Sequence, residues 1–177
     1  ARGVQPIIGC QIGLARPDNS RLPPDPLVLL AQDAQGLANL QRLSSLGFLA
    51  SDPGLKPQLP LATIAEHAAG VILLTGGTAG PLARLLAEGQ RTAAEELLAG
   101  FTEAFADRTV IELHRHGLAI ERGLEPGLIA LADAAGLPLV ATNECFFARP
   151  EMFAAHDALL CIAEGRTLAE PEPPPRD

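Results

Sequence analysis

The segment Val71-Ile72-Leu73-Leu74-Thr75-Gly76-Gly77-Thr78-Ala79-Gly80-Pro81 contains the pattern on which the fold depends. A short apolar run comes first, a glycine-rich turn follows it, and Pro81 then suits the first turn of a helix. A run that is apolar on both faces is typical of a strand buried between helices in a parallel sheet. The segment therefore predicts a strand, a turn and a helix in succession, which is the repeating unit of an α/β fold.

The same unit recurs along the chain. The predicted strands are residues 6–14, 27–31, 71–75, 109–114 and 137–142. The predicted helices are residues 33–48, 61–69, 80–88, 92–105, 126–135 and 150–164. Strands that alternate with helices predict a parallel α/β arrangement, either an open doubly wound sheet or part of a barrel. Periodicity does not distinguish these two architectures.

Composition excludes several classes of protein. The chain has 177 residues, of which 47% are hydrophobic and 19% charged, so it can bury a core and is not intrinsically disordered. A net charge of -8 makes the isolated chain a poor ligand for phosphate backbones. We see no signal peptide and no run near the roughly 18 apolar residues that span a bilayer. The 3 cysteines form no CxxC pair, which favours a reducing cytoplasm.

Two groups at predicted strand ends are candidate sites, and each has a plainer alternative. Glycine amides of residues 76–80 can hold an anion before a helix, but the spacing fits neither GxGxxG nor GxxxxGK[ST], so a tight turn is the alternative. His114 and His116 share a face if the strand continues, and two imidazoles can bind a metal. In the alternative, His114 packs at the strand end and His116 begins a loop.

The segment Asn143-Glu144-Cys145-Phe146-Phe147 follows the last predicted strand. Glu144 is a candidate metal ligand or general base, and Cys145 is a candidate nucleophile. A catalytic cysteine needs a base and an orienting partner, which the spacing does not supply. The adjoining Phe146 and Phe147 favour a buried, unreactive thiol instead.

Five segments occur in an order that is characteristic of a known family. They are Pro6-Ile7-Ile8-Gly9-Cys10-Gln11, Leu27-Val28-Leu29-Leu30-Ala31-Gln32, Ile111-Glu112-Leu113-His114-Arg115-His116-Gly117, Leu137-Pro138-Leu139-Val140-Ala141-Thr142-Asn143-Glu144 and Ala155-His156-Asp157-Ala158-Leu159-Leu160-Cys161-Ile162. In this order they closely resemble the N-terminal PHP (polymerase and histidinol phosphatase) domain of the bacterial DNA polymerase III alpha subunit, in its alphaproteobacterial form. The resemblance covers nearly all of the chain.

The resemblance implies a fold and a domain boundary. The family domain is a distorted (β/α)7 barrel of parallel strands with helices outside, and its metal pocket lies at the carboxyl ends of the strands. Its opening segment, which carries a His-x-His motif, should precede Ala1, and the polymerase regions should follow Asp177. We therefore expect residues 1–168 to be a PHP domain that is incomplete at its N-terminus, and residues 169–177 to be a proline-rich linker. An incomplete domain should expose a strand edge and self-associate or be marginally stable.

The resemblance also assigns pocket positions, starting with three in the first half of the chain. Metal-binding relatives carry an acidic residue at the position of Gln11. They carry a histidine at the position of Pro26, just before the second strand, and frequently a cysteine at the position of Gly77. A glutamine amide is a weak neutral ligand, and proline and glycine side chains offer no donor. These replacements imply that the pocket has lost affinity for metals.

Three further pocket positions lie in the second half. The Asp-x-His pair of metal-binding relatives corresponds to Glu144 and Phe146, and His116 matches their common Arg-His-Gly turn. One acidic ligand and one imidazole therefore remain. The resemblance implies a vestigial pocket, with Pro26 and Phe146 filling it by packing.

The function implied is that of a non-catalytic segment of a DNA-directed DNA polymerase, which is a nucleotidyltransferase. It would support the other regions of the alpha subunit or dock a proofreading exonuclease subunit, and would meet DNA only through its parent. No cofactor is expected in the segment, although the parent polymerase would use Mg. One alternative is a PHP-family phosphoesterase or 3'-5' exonuclease that holds Zn or Mn through Glu144, His114 and His116. Another is an unrelated α/β enzyme that binds a small phosphate at residues 76–80.

Overall fold

The computed structural model describes residues 3–17, 22–52, 54–143 and 145–168. The chain forms two compact units, Ala1–Thr142 and Asn143–Asp177. The first unit contains β1 (Gly9–Leu14), β2 (Asp25–Ala31), α1 (Ala34–Ala50), α2 (Leu61–Ala65), β3 (Val71–Leu74), α3 (Pro81–Ala87), α4 (Arg91–Phe105), β4 (Thr109–His114), α5 (Ala119–Ala135) and β5 (Leu139–Thr142). The second unit contains α6 (Phe153–Glu164), and the predicted linker at residues 169–177 lies outside the described residues.

The five strands form a mixed sheet in the order β1-β2-β3-β4-β5. The predicted parallel arrangement is confirmed for β3–β4 and β4–β5 but is wrong for β1–β2 and β2–β3, which are antiparallel. Residues 15–24 join β1 to β2, and this connection is shorter than the dozen or more residues that a parallel crossover needs. An apolar run reports that a strand is buried, and it carries no information on the direction of that strand.

Helices cover one face of the sheet in the first unit. That face carries buried side chains of β1, β2, β3 and β4, which join one hydrophobic cluster with Phe101 and Phe105 of α4. The strand residues of this cluster are Leu14 of β1 and Leu27, Leu29, Val71, Leu73, Ile111 and Leu113 of the next three strands. Alternate residues of the same strands point to the opposite face, where Val28, Ile72 and Val110 are half-buried and Leu74 and Glu112 are buried.

The start of α1 lies in direct backbone contact with the turn before β3. Asp33 caps the helix, because its Oδ1 accepts a hydrogen bond from the N–H of Gly36 at 2.8 Å. A Cβ atom on Gly36 would overlap the carbonyl oxygen of Gly70. Asn39 Nδ2 donates to the carbonyl of Ala69 at 2.7 Å and fixes the same contact. Glycine at position 36 therefore permits the close approach of helix and turn.

The structure corrects three helix boundaries. The helix predicted at residues 61–69 ends at Ala65, and the helix predicted at residues 150–164 begins at Phe153. The largest difference is in α5. The helix predicted at residues 126–135 begins at Ala119, so Pro126 lies inside it rather than at its start. A proline interrupts the hydrogen bonding of a helix, but the buried face of α5, which includes Leu128 and Leu131, continues beyond Pro126. Among the residues that the structure describes, no helix is long and apolar enough to cross a bilayer.

Candidate functional site

The predicted pocket positions on β1 and β2 are neighbours. Pro26 is the second residue of β2 rather than a residue before it, and it faces Gly13 of β1. Gln11 faces Val28, so Gln11 and Pro26 belong to the same face of the sheet, two residues apart in register. A Cβ atom on Gly76 would overlap the carbonyl oxygen of Pro26, which shows that the glycine turn after β3 packs against this strand end.

The N–H group of Gly76 in the glycine turn is already hydrogen-bonded within the protein. Gly76 and Gly77 have φ angles of 82° and 55°, a left-handed conformation that favours glycine. The N–H of Gly76 donates to Oε2 of Glu112 at 3.0 Å. An amide already bonded to a buried side chain does not serve an external anion, so the geometry favours the tight-turn alternative for residues 76–80.

Glu112 joins the ends of three strands. Its side chain is buried, and its Oε1 accepts a hydrogen bond from Thr142 Oγ1 of β5 at 2.6 Å. Its backbone N–H donates to Oγ1 of Thr75, directly after β3, at 3.1 Å. Sequence analysis gave Glu112 no role of its own. The sequence feature that could have identified this role is a single acidic residue inside an apolar strand, because a buried carboxyl group requires a polar partner.

The two predicted histidines lie together, just beyond this carboxyl group. β4 ends at His114, yet the ring centroids of His114 and His116 are 5.5 Å apart. His114 Nε2 lies 3.6 Å from Glu112 Oε1, and His116 Nδ1 lies 2.7 Å from Oε1 of Glu121. Each imidazole therefore has a carboxyl neighbour within the fold.

The ring of His114 occupies the space above Gly77. A Cβ atom on Gly77 would lie 2.5 Å from His114 Nδ1 and 2.7 Å from Nε2. No larger side chain fits at position 77 while the imidazole stays in place.

This contact predicts a coupled pair of substitutions. Gly77→Ala should lower the free energy of unfolding by about 2 kcal/mol, because alanine is strained at a positive φ and its methyl group meets the ring. In a His114→Ala background the loss should be smaller, since only the backbone strain remains. Urea unfolding of the two single variants and the double variant measures the coupling. Equal losses in both backgrounds would show that the ring does not restrict position 77.

Glu121 organises the start of α5. The side chain is buried, and its Oε2 accepts hydrogen bonds from the N–H groups of Gly117 at 2.9 Å and Leu118 at 3.0 Å. Burial raises the pKa of Glu121, but hydrogen bonds from His116, Leu118 and Gly117 outweigh it and lower the pKa to about 2. A carboxylate in the first turn also suits the positive end of the helix.

The low pKa of Glu121 predicts a dependence of stability on pH. A carboxyl group whose pKa is depressed on folding stabilises the folded state above its ordinary pKa of 4.5, and this contribution is lost as the pH falls towards 2. Urea unfolding across this range should show a steeper loss for the wild type than for Glu121→Gln. Glu103→Gln, at an exposed position of α4, is the matched control. An unchanged acid slope in Glu121→Gln would contradict the assignment.

The remaining predicted positions lie after β5. Glu144 lies outside the described residues. Phe146 is 65% exposed within the second unit, and its ring centroid is 5.1 Å from that of His156. The expectation of a buried thiol at Cys145 is wrong, because Cys145 is exposed. The rings of Phe146 and Phe147 both pack with His156, which leaves the thiol uncovered.

A second polar cluster, also without a role in the sequence analysis, lies at the start of β2. Asp25 is 2% exposed and pairs with Arg16 Nη2 at 3.0 Å and with Arg84 Nε at 2.9 Å. The hydrogen bond from Arg84 to Asp25 raises the pKa of the Arg84 guanidinium. These ion pairs hold α3 against the start of β2, so their role is structural.

The metal pocket implied by the resemblance does not fit the residues that are described. Pro26 and Gly77 bring no donor atom, and the His114 ring fills the space that a ligand at position 77 needs. Within residues 3–17, 22–52, 54–143 and 145–168, no group of three or more His, Cys, Asp or Glu side chains is arranged to hold a metal ion.

Comparison with known proteins identifies relatives that share one name, DNA polymerase III subunit alpha. The curated relatives include DNA polymerase III subunit alpha of Caulobacter vibrioides (strain NA1000 / CB15N), 45% identical over 174 residues, which cover 96% of this chain and 15% of the relative. The same subunit of Rickettsia bellii (strain RML369-C) is 35% identical over 146 residues, 82% of this chain and 12% of the relative. That of Pseudomonas fluorescens is 34% identical over 169 residues, 96% of this chain and 14% of the relative.

The chain thus spans at most 15% of the length of these three relatives. The sequence model of the PHP domain matches residues 1–116, which include β1 to β4, the glycine turn and both strand-end histidines. The chain therefore belongs to the PHP domain family.

Proposed function

We propose that the chain is the PHP-domain segment of a bacterial DNA polymerase III alpha subunit, and that its role there is structural rather than catalytic. The identity of 45% over 96% of the chain to a subunit of that name supports the assignment. The parent would be a DNA-directed DNA polymerase that uses Mg and works on DNA in the cytoplasm. The segment would stabilise the other regions of the subunit.

The observation that carries the non-catalytic role is the packing of His114 on Gly77. In the proposed pocket, the His114 ring fills the space at position 77, and the side chain of Pro26 has no atom that can coordinate a metal. Catalytic metal sites need several convergent charged or imidazole ligands. We infer that the pocket is vestigial and that Gln11, like Pro26 and Gly77, is a position at which a metal ligand has been replaced.

The competing function is that of a metal-dependent phosphoesterase or 3'-5' exonuclease. The proximity of His114 and His116, each with a carboxyl neighbour, favours it. Elemental analysis of the purified chain separates the two functions. We expect neither zinc nor manganese at stoichiometric amounts, and no phosphate release from a generic phosphoester. Stoichiometric metal that is lost in His116→Ala would overturn the vestigial pocket.

Docking of a proofreading exonuclease subunit is the proposed partner function. An alpha subunit without its own editing site depends on a separate proofreader, and the non-catalytic domain is a candidate platform for it. Pull-down of the parent polymerase should recover the exonuclease subunit, and deletion of this segment should abolish recovery while polymerase activity is monitored as a control for folding. Unchanged recovery would contradict docking at this segment.

The proposed domain is part of a (β/α)7 barrel that ends near residue 168, with a linker at residues 169–177. Helices on a single face of the five-stranded sheet in the first unit support it. Limited proteolysis should cut first within residues 169–177, because linkers and chain ends are the preferred sites of proteolytic cleavage. A first cut inside residues 1–168 would contradict this boundary.

A further inference from the structure

We draw no further inference here: the strongest candidate, the cavity between the start of β2 and the helices α3 and α4, carries no proposal, because the guanidinium groups of Arg16 and Arg84 in its wall already pair with Asp25 and nothing in the structure shows what covers its apolar side chains.

Discussion

Replacing Glu112 with alanine is expected to lower the free energy of unfolding by about 3 kcal/mol. The substitution leaves the buried N–H of Gly76 and the hydroxyl of Thr142 without their acceptor. Each unsatisfied buried group costs about 1–3 kcal/mol, because it has been removed from water without compensation. Urea unfolding, followed by circular dichroism, measures the loss.

Two graded controls accompany this variant. Glu112→Gln keeps one acceptor oxygen, so it should lose about half as much as the alanine variant. Thr142→Val removes a single donor, and it should cost about 1 kcal/mol. If Glu112→Ala were no less stable than Thr142→Val, Glu112 would not be the residue that joins β3, β4 and β5.

The second large effect is expected at Gly36. Gly36→Ala should cost about 3 kcal/mol, because the added methyl group overlaps the backbone carbonyl of Gly70, and neither backbone can move without disturbing α1 or β3. Gly47, on the same helix, is the matched control. A Cβ atom there meets the nearest side-chain atom at 3.7 Å, which is ordinary contact.

Gly47→Ala should therefore stabilise the protein by about 0.5–1 kcal/mol, since alanine has the higher helix propensity. If Gly36→Ala lowers the free energy of unfolding and Gly47→Ala raises it, the contact at Gly70, and not helix propensity, decides the effect at position 36. A stabilising Gly36→Ala would show that α1 can shift away from the turn before β3.

The positions of the strands were predictable because burial leaves a direct trace in the sequence. Four of the five predicted apolar runs contain the observed strands, and the fifth, residues 27–31, lies within β2, which begins at Asp25. The sequence did not indicate this extension, because aspartate and proline, the residue types at positions 25 and 26, are uncommon in strands. Asp25 is accommodated by its ion pairs with Arg16 and Arg84, which come from distant parts of the chain. Strand direction was not predictable, because it depends on connections rather than on composition.

The site was predictable only in part, for a similar reason. The sequence indicated that His114 and His116 share a strand end, and their rings are indeed close. It did not indicate the roles of Glu112 and Glu121, whose partners are mostly backbone N–H groups and hydroxyls. Backbone donors are present at every residue, so no pattern of residue types marks where a buried carboxyl group will find them.

The packing of His114 on Gly77 ties the residue types of these two positions to each other. A side chain at position 77 and the present His114 ring would occupy the same space, so neither position can be changed freely while the other stays as it is. An engineered metal ligand at position 77 would therefore need a smaller residue at position 114 in the same variant, which makes the two substitutions epistatic.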